Sequence, residues 1–328
     1  MHVVFRESHG LEETDTPTDL GQSPADLVVL SFSDSDLGAF AAGWHRGGGK
    51  AGRLPGLRLA NLAALRHPLS VDTYVERTLE GARGILIRLI GGVPYWPYGI
   101  AQVSALAREK GIALAVLPAD GRADARLDEA STVPVSTLRR LAHLCDTGGA
   151  VAAQAALAQM ALAAGLYAGP VAGAKALPPV GAWLPEDGVC CPAVARLGCV
   201  GGGPSAPRPS GPPDGICSKK KERGGEAPLV LVVFYRSYLV AADLAPVEAL
   251  CAALRARGFR VLGLFAPSLK APEAGGWLAG QVAALAPAAI VNATAFSGKG
   301  DGGTSPLDAA GVPVFQVALA TSTREAWA

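Results

Sequence analysis

The chain alternates short unbroken apolar runs with longer stretches whose apolar residues recur every three or four positions. Leu27-Val28-Val29-Leu30-Ser31-Phe32 is rich in β-branched residues and is followed by Ser33-Asp34-Ser35-Asp36. That is the pattern of a buried strand closed by a polar turn. Ser70 is suited to cap a helix that carries Val71, Tyr74, Val75 and Leu79 on one face. Gly84 leads into a second strand over 85–90, closed by Gly91-Gly92, and residues 100–110 carry a helical pattern (Val103, Leu106) that Gly111 stops. A third strand, 112–117, follows at once. From about 136 to 166 the chain is helical by composition, with a break near Gly148-Gly149.

The alternation returns at 229–234, a strand. Val247, Leu250, Cys251 and Leu254 form a helical stripe, with Pro246 tolerable in its first turn and Gly258 as its stop. Strands are predicted over 261–265, 289–291 and 312–317, and a helix through Trp277, Leu278, Gln281, Val282 and Leu285. Strands separated by helices must pair in parallel, with the helices laid over the sheet faces. The predicted fold class is therefore α/β, with two Rossmann- or flavodoxin-like parallel-sheet units. Residues 1–167 form the first, with a helical segment at about 136–166. Residues 168–228 are a linker, and 229–328 form a flavodoxin-like unit that breaks off at its C-terminal side.

Composition supports the division. The chain has 41 Gly and 25 Pro, a fifth of its 328 residues, against about 12% in average usage. Residues 168–228 hold 23 of them in 61 positions, so the excess marks the linker. Basic and acidic residues number 29 and 28, for a net charge of +1. No basic surplus is available to neutralise a phosphate backbone, which argues against nucleic-acid binding. The one dense basic run, Lys219-Lys220-Lys221-Glu222-Arg223, lies in the linker and reads as a solvated tip. Four of the six Cys (Cys190, Cys191, Cys199, Cys217) also lie there, without the paired spacing of a zinc knuckle. Cys145 and Cys251 sit on helical patterns as small core residues. Charges run through residues 1–19, unlike a signal peptide. The uncharged stretch 147–174 is mostly Ala and Gly and lacks the Leu, Ile and Phe density of a membrane span. A cytoplasmic location is expected.

Open parallel sheets bind ligands beyond the carboxyl ends of their strands. In the second unit that edge carries Tyr235-Arg236-Ser237, then Ser268 and Lys270, then Asn292-Ala293-Thr294-Ala295-Phe296-Ser297. Hydroxyls, an amide and two cations converge there, suited to a ligand bearing carboxylates or amides; the same residues would equally serve to cap helices and tie loops. In the first unit Asp34 and Asp36 are either cation ligands or a turn and cap, and the aromatic turn around Tyr95, Trp96 and Tyr98 is either a stacking surface or a rigid packed corner. Gly298-Lys299 lacks the earlier Gly and the following Ser or Thr of a phosphate loop, and no G-x-G-x-x-G follows a strand. The five His form no H-E-x-x-H or close pair, so no metal ligands are assigned.

Several strings taken in order resemble one family. The stretch 27–37, Leu57-Arg58-Leu59-Ala60-Asn61-Leu62, His67-Pro68-Leu69-Ser70-Val71-Asp72 and the Gly91-Gly92 to Trp96 turn resemble the opening of the cobaltochelatase large subunit of CobN type, a relative of the magnesium chelatase large subunit. So do Phe234-Tyr235-Arg236-Ser237, Ser268-Leu269-Lys270, Asn292-Ala293-Thr294-Ala295-Phe296 and Ser322-Thr323-Arg324-Glu325-Ala326-Trp327. The resemblance covers nearly the whole chain outside 168–228. It implies an ATP-dependent ligase forming nitrogen–metal bonds, which inserts Co²⁺ into hydrogenobyrinic acid a,c-diamide in aerobic cobalamin synthesis. The large subunit holds the corrinoid, and partner subunits of the AAA+ and von Willebrand-like kinds use ATP, which is not bound here. Family members are several-fold longer, so the chain is expected to be an amino-terminal piece, inactive by itself. Tyr235, Arg236, Ser237, Asn292, Thr294 and Trp96 are the candidate residues facing substrate or a partner; no catalytic residue is assigned. The rival readings are a porphyrin-loading magnesium chelatase subunit and a non-catalytic module that recruits partners.

Overall fold

Residues 16–166, 171, 173–174, 176–192, 227–294 and 303–319 are described by a computed structural model, which divides into two units. The first contains Met1–Leu177 with Ser237–Asp243, the second Pro178–Arg236 with Leu244–Ala328.

The first unit is built on four parallel strands, β1 (Leu27–Ser31), β2 (Leu57–Asn61), β3 (Gly84–Leu89) and β4 (Ala113–Pro118), in the order β2-β1-β3-β4. Their side chains alternate between two cores. Val28, Leu30, Ile85 and Ile87 pack with Val71, Tyr74 and Val103 on one face. Leu27, Val29 and Leu86 pack with Phe40, Leu141 and Leu157 on the other. Burial on both faces is why these strands read as continuous apolar runs. The crossovers are α1 (Asp34–Arg46), α2 (Pro68–Tyr74) with a wide turn over Val75–Leu79, and α3 (Pro97–Lys110); α4 (Ala125–Ala130), α5 (Val135–Thr147) and α6 (Gly149–Ala163) follow β4. Four of these differ from the sequence expectation, one being α4, where no helix is predicted. Helix α1 carries the sequence pattern of a polar turn, because its first turn is polar and its remainder rich in small residues. Strand β2 was not predicted, since it is an edge strand with Arg58 in its middle. Helix α2 begins one turn earlier than expected: His67 caps it by accepting from the Leu69 N–H at 3.1 Å. Ser70 lies buried inside it and accepts from the Thr18 N–H at 2.7 Å. The break at Gly148-Gly149 separates α5 from α6 as predicted.

The second sheet has the order β10-β9-β7-β8-β5-β6, with β5 (Gly181–Leu184), β6 (Gly188–Cys190), β7 (Leu229–Tyr235), β8 (Arg260–Ala266), β9 (Ala289–Asn292) and β10 (Val314–Gln316). Strands β7, β8, β9 and β10 are parallel; β5 runs antiparallel to β8 and forms a hairpin with β6. Helices α8 (Ala245–Arg255) and α9 (Pro272–Leu285) are the crossovers, and α7 (Arg236–Ala241) directly follows β7. Two corrections to the domain reading follow. The segment 168–228 is not linker throughout: Trp183 of β5 packs edge-on against Phe234 of β7, ring centroids 5.8 Å apart. A four-residue strand set between Pro179 and Pro185 is hidden by the surrounding Gly and Pro. Residues 237–243 belong to the first unit rather than to the 229–328 one. The basic run at 219–223, Cys199, Cys217, residues 295–302 and the string 322–327 lie outside the described residues. No helix among the described residues is long and apolar enough to cross a membrane.

Helices α1 and α6 cross closely enough that side-chain volume decides whether they can. A Cβ on Gly43 would lie 2.6 Å from the Gln154 backbone nitrogen, and the face of α6 around it is Ala152, Ala153 and Ala156, all buried. Backbone cannot yield as a flexible side chain does. Gly43→Ala is therefore expected to destabilise the chain by about 1–3 kcal/mol through overpacking, read as a lowered midpoint in urea with an unchanged slope.

Candidate functional site

In both sheets the strand order reverses once within the parallel part, between β1 and β3 in the first and between β7 and β9 in the second. Ligands of such sheets enter at the carboxyl ends of those strand pairs.

At the first switch the reversal brings one charged residue into the core. Arg88, near the end of β3, is only 5% exposed. Its Nη1 donates to Asp36 Oδ1 at 2.7 Å and its Nη2 to Asp146 Oδ1 at 3.0 Å. Asp36 sits in the first turn of α1, where the helix dipole favours its charge, and its other oxygen accepts from Ser31 Oγ at 2.8 Å. Asp34 accepts from Asn61 Nδ2 at 2.7 Å, and Ser33 caps the helix through the Asp36 N–H. The two aspartates weighed as cation ligands are thus engaged with neighbouring side chains. Burial works against the Arg88 charge, but Cys145, Asp36 and Asp146 together outweigh it and hold the guanidinium above its usual value. Burial also pushes the neighbouring Cys145 thiol up to about 12. A cavity of about 30 Å³ opens beside these groups, lined by Asp36, Phe40, Arg88, Cys145, Gly149 and Val240 among others. The signal that could have found this cluster is Arg88 itself, one charge inside the apolar run Ile85-Leu86-Ile87-Arg88-Leu89-Ile90. A buried charge is costly unless paired, so its partners had to be close by.

At the second switch the residues singled out in the sequence are partly brought together. Asn292, at the end of β9 and 3% exposed, donates from Nδ2 to Gln316 Oε1 at 2.8 Å. Its Oδ1 accepts from the Thr294 N–H at 3.2 Å and from Thr294 Oγ1 at 2.9 Å. Gln316 Nε2 returns a hydrogen bond to the Thr294 carbonyl. Asn292 and Thr294 therefore form a buried amide–hydroxyl network that ties β9 to β10. Gln316 was missed because its partner lies 24 positions away. Tyr235 closes β7 half-buried, and Arg236 donates from Nε to the Pro178 carbonyl at 2.9 Å. Ser237 is exposed at the start of α7 and groups with the first unit. Ser268 Oγ accepts from the Lys270 N–H at 3.1 Å, and Lys270 is exposed.

Trp96 is a correction. It is 4% exposed, packed in the first core, with its indole N–H donated to the Leu65 carbonyl at 2.7 Å, so it presents no face to a ligand. The exposed aromatics of that turn are Tyr95 and Tyr98, the latter donating to Asp72 Oδ1 at 2.7 Å. Among the described residues no group of three or more His, Cys, Asp or Glu is placed to hold a metal ion.

These environments predict two outcomes. Asn292→Ala removes an acceptor from the buried Thr294 and is expected to cost about 1–3 kcal/mol; amide exchange at Val317, which donates to the Asn292 carbonyl at 2.9 Å, should quicken before global unfolding. Because burial holds its thiol well above the ordinary value, Cys145 should alkylate at least about tenfold more slowly than an exposed thiol at pH 8, as followed by mass spectrometry of the folded chain.

The comparisons agree along the chain. A family model described as CobN/Magnesium Chelatase matches residues 160–328. A protein of Sinorhizobium sp named aerobic cobaltochelatase subunit CobN is 34% identical over 330 residues, covering 100% of this chain and 24% of that protein. One of the same name from Pseudomonas aeruginosa is 32% identical over 309 residues, covering 90% of this chain and 22% of its own length. The fold is similar to that of a solved structure, the catalytic subunit of cobaltochelatase from Mycobacterium tuberculosis. The TM-score is 0.64 and the identity 23%, over 92% of this chain and 22% of that one. The chain spans about a quarter of the length of the relatives it matches. With more than half of its residues matched by the family model and both relatives above 30% identity, the chain belongs to the CobN/Magnesium Chelatase family.

Proposed function

We propose that this chain is part of the large subunit of an ATP-dependent cobalt chelatase, which inserts Co²⁺ into hydrogenobyrinic acid a,c-diamide in aerobic cobalamin synthesis. The observation that carries the reading is the similarity to aerobic cobaltochelatase subunits along the whole chain, across both sheet units, rather than at one motif. In this reading the chain is a ligand-binding and assembly scaffold in the cytoplasm, and Co²⁺ is a substrate. Insertion of the ion requires that it lose bound water, that the macrocycle deform, and that two pyrrolic protons leave. ATP is used by partner subunits of the AAA+ and von Willebrand-like kinds.

The chemistry available here suits holding rather than turnover. Parallel sheets buried on both faces give rigid strand ends, and rigid ends hold a ligand's polar groups at fixed separations. On the second unit, Tyr235 ends the strand beside the switch and Arg236 follows it; with the exposed Ser237 that comes next in sequence, these are the proposed substrate- or partner-facing residues. Asn292 and Thr294 act as positioning residues, because their hydrogen bonds already go to one another and to Gln316.

The test is a titration of a metal-free corrinoid, and separately of a metal-free porphyrin, against the chain, followed by absorbance in the Soret region. A saturable spectral shift with the corrinoid alone is expected. A shift with the porphyrin instead would assign the chain to magnesium chelation. No shift with either, together with co-purification of the ATPase subunits, would make it a partner-binding module.

A further inference from the structure

The parallel strands of the two units share one order. It is β2-β1-β3-β4 in the first unit and β8-β7-β9-β10 in the second, so in each the second strand lies outside the first and the fourth outside the third. A doubly wound sheet of the flavodoxin kind has a fifth strand beyond the fourth. The two units treat that fifth place differently. In the first unit residues 131–133 take it. The outward N–H groups of Leu114 and Val116 in β4 donate to Thr132 Oγ1 at 2.7 Å and to Ser131 Oγ at 2.9 Å. The Leu114 carbonyl accepts from the Thr132 N–H at 2.9 Å and from the Val133 N–H at 3.3 Å. Leu114, Ala115, Val116 and Leu117 are all buried.

In the second unit β10 stands at the end of the sheet, and no such cover is found among the described residues. The Pro313 carbonyl accepts from the Ile290 N–H, and the Val317 N–H donates to the Asn292 carbonyl, both at 2.9 Å. Residues 313, 315 and 317 therefore face β9, and the N–H and C=O groups of Val314 and Gln316 point away from the sheet. All three residues of β10 are exposed, Phe315 at 58%, although their side chains alternate between the two faces. Ile290, Val291 and Asn292 beside them are buried. Strands in parallel sheets are covered on both faces, and an edge that meets water is blunted by charges or bulges. Residues 309–319 carry no charge.

We infer that the outer edge of β10 is a docking surface for a fifth parallel strand, supplied by large-subunit polypeptide outside the quarter matched here. Most of the length of the CobN relatives lies outside that match, so polypeptide to cover the edge is at hand. The docked strand pairs with the outward groups of Val314 and Gln316, and its crossover helix covers Phe315. It is an apolar strand, because it makes β10 an interior strand of a parallel sheet. The inference rests on the strand order and on membership of the family, and is independent of which macrocycle is metallated.

The experiment compares hydrogen exchange, resolved to single amides by mass spectrometry, in this chain and in the whole Sinorhizobium relative at the aligned positions. The amides of β7 serve in both as the reference for a covered strand. In this chain Val314 and Gln316 are expected to exchange at nearly the rate of an unstructured peptide, and Phe315 and Val317, which donate to β9, more slowly. In the relative the positions of Val314 and Gln316 are expected to exchange at least about a hundredfold more slowly than in this chain, because a covered strand opens only with much of the global stability. Equally fast exchange at those two positions in both proteins overturns the inference. Protection of Val314 and Gln316 in this chain alone overturns it as well. If that protection grows with protein concentration, a second copy covers the edge; if it does not, the chain covers its own.

Discussion

A strand can be joined to a parallel neighbour only by a crossover that returns to the same end of the sheet, and this requirement organises both sheets apart from the antiparallel β5–β6 hairpin. It places helices over both faces, so the central strands β1, β3 and β7 are almost wholly buried and mainly apolar. It also brings every polar residue that follows a strand to one edge. In each of the two units the order reverses once, between β1 and β3 and between β7 and β9. At the first reversal the structure holds Arg88 with Asp36 and Asp146, and beside the second, between β9 and β10, it holds Asn292 with Thr294 and Gln316.

The two clusters solve the cost of burial differently. The second is neutral, its members meeting one another and fastening β10 to the sheet. The first buries a charge, which is tolerable only with carboxylates in contact. One of them is fixed by a hydroxyl and a helix start; the other reaches in from a half-exposed position at the end of α5. The Nε donor, buried behind these pairs, has no hydrogen-bond partner. Its neighbour Cys145 is kept neutral by burial, so the thiol acts as packing beside the ion pairs rather than as a nucleophile.

Much of the architecture was legible in the residues. The strands β1, β3, β4, β7, β8 and β9, the helices α3, α8 and α9 and the break between α5 and α6 stand where periodicity and Gly stops place them, because burial leaves a plain apolar signature; β10 also stands where predicted, although its residues are exposed. The misses share a cause. β2 is an edge strand interrupted by an arginine, α1 begins in polar residues that resemble a turn, and β5 lies between prolines, so each depends on neighbours for its stability more than on local pattern. Trp96 is the instructive error at the level of sites. An aromatic beside Gly-Gly and two Pro looks exposed, yet the corner folds it inward and the Leu65 carbonyl takes its N–H.

By itself the sequence determined the α/β class, the parallel pairing and the family, since these rest on short-range periodicity and on strings of residues in order. Tertiary structure alone decided which polar residues meet. Arg88 and Asp146 are 58 positions apart, and Asn292 and Gln316 24; no local pattern records such pairings. They exist because the crossovers return distant strand ends to one edge, where a buried donor must find its acceptor or be left, like the Arg88 Nε, without one.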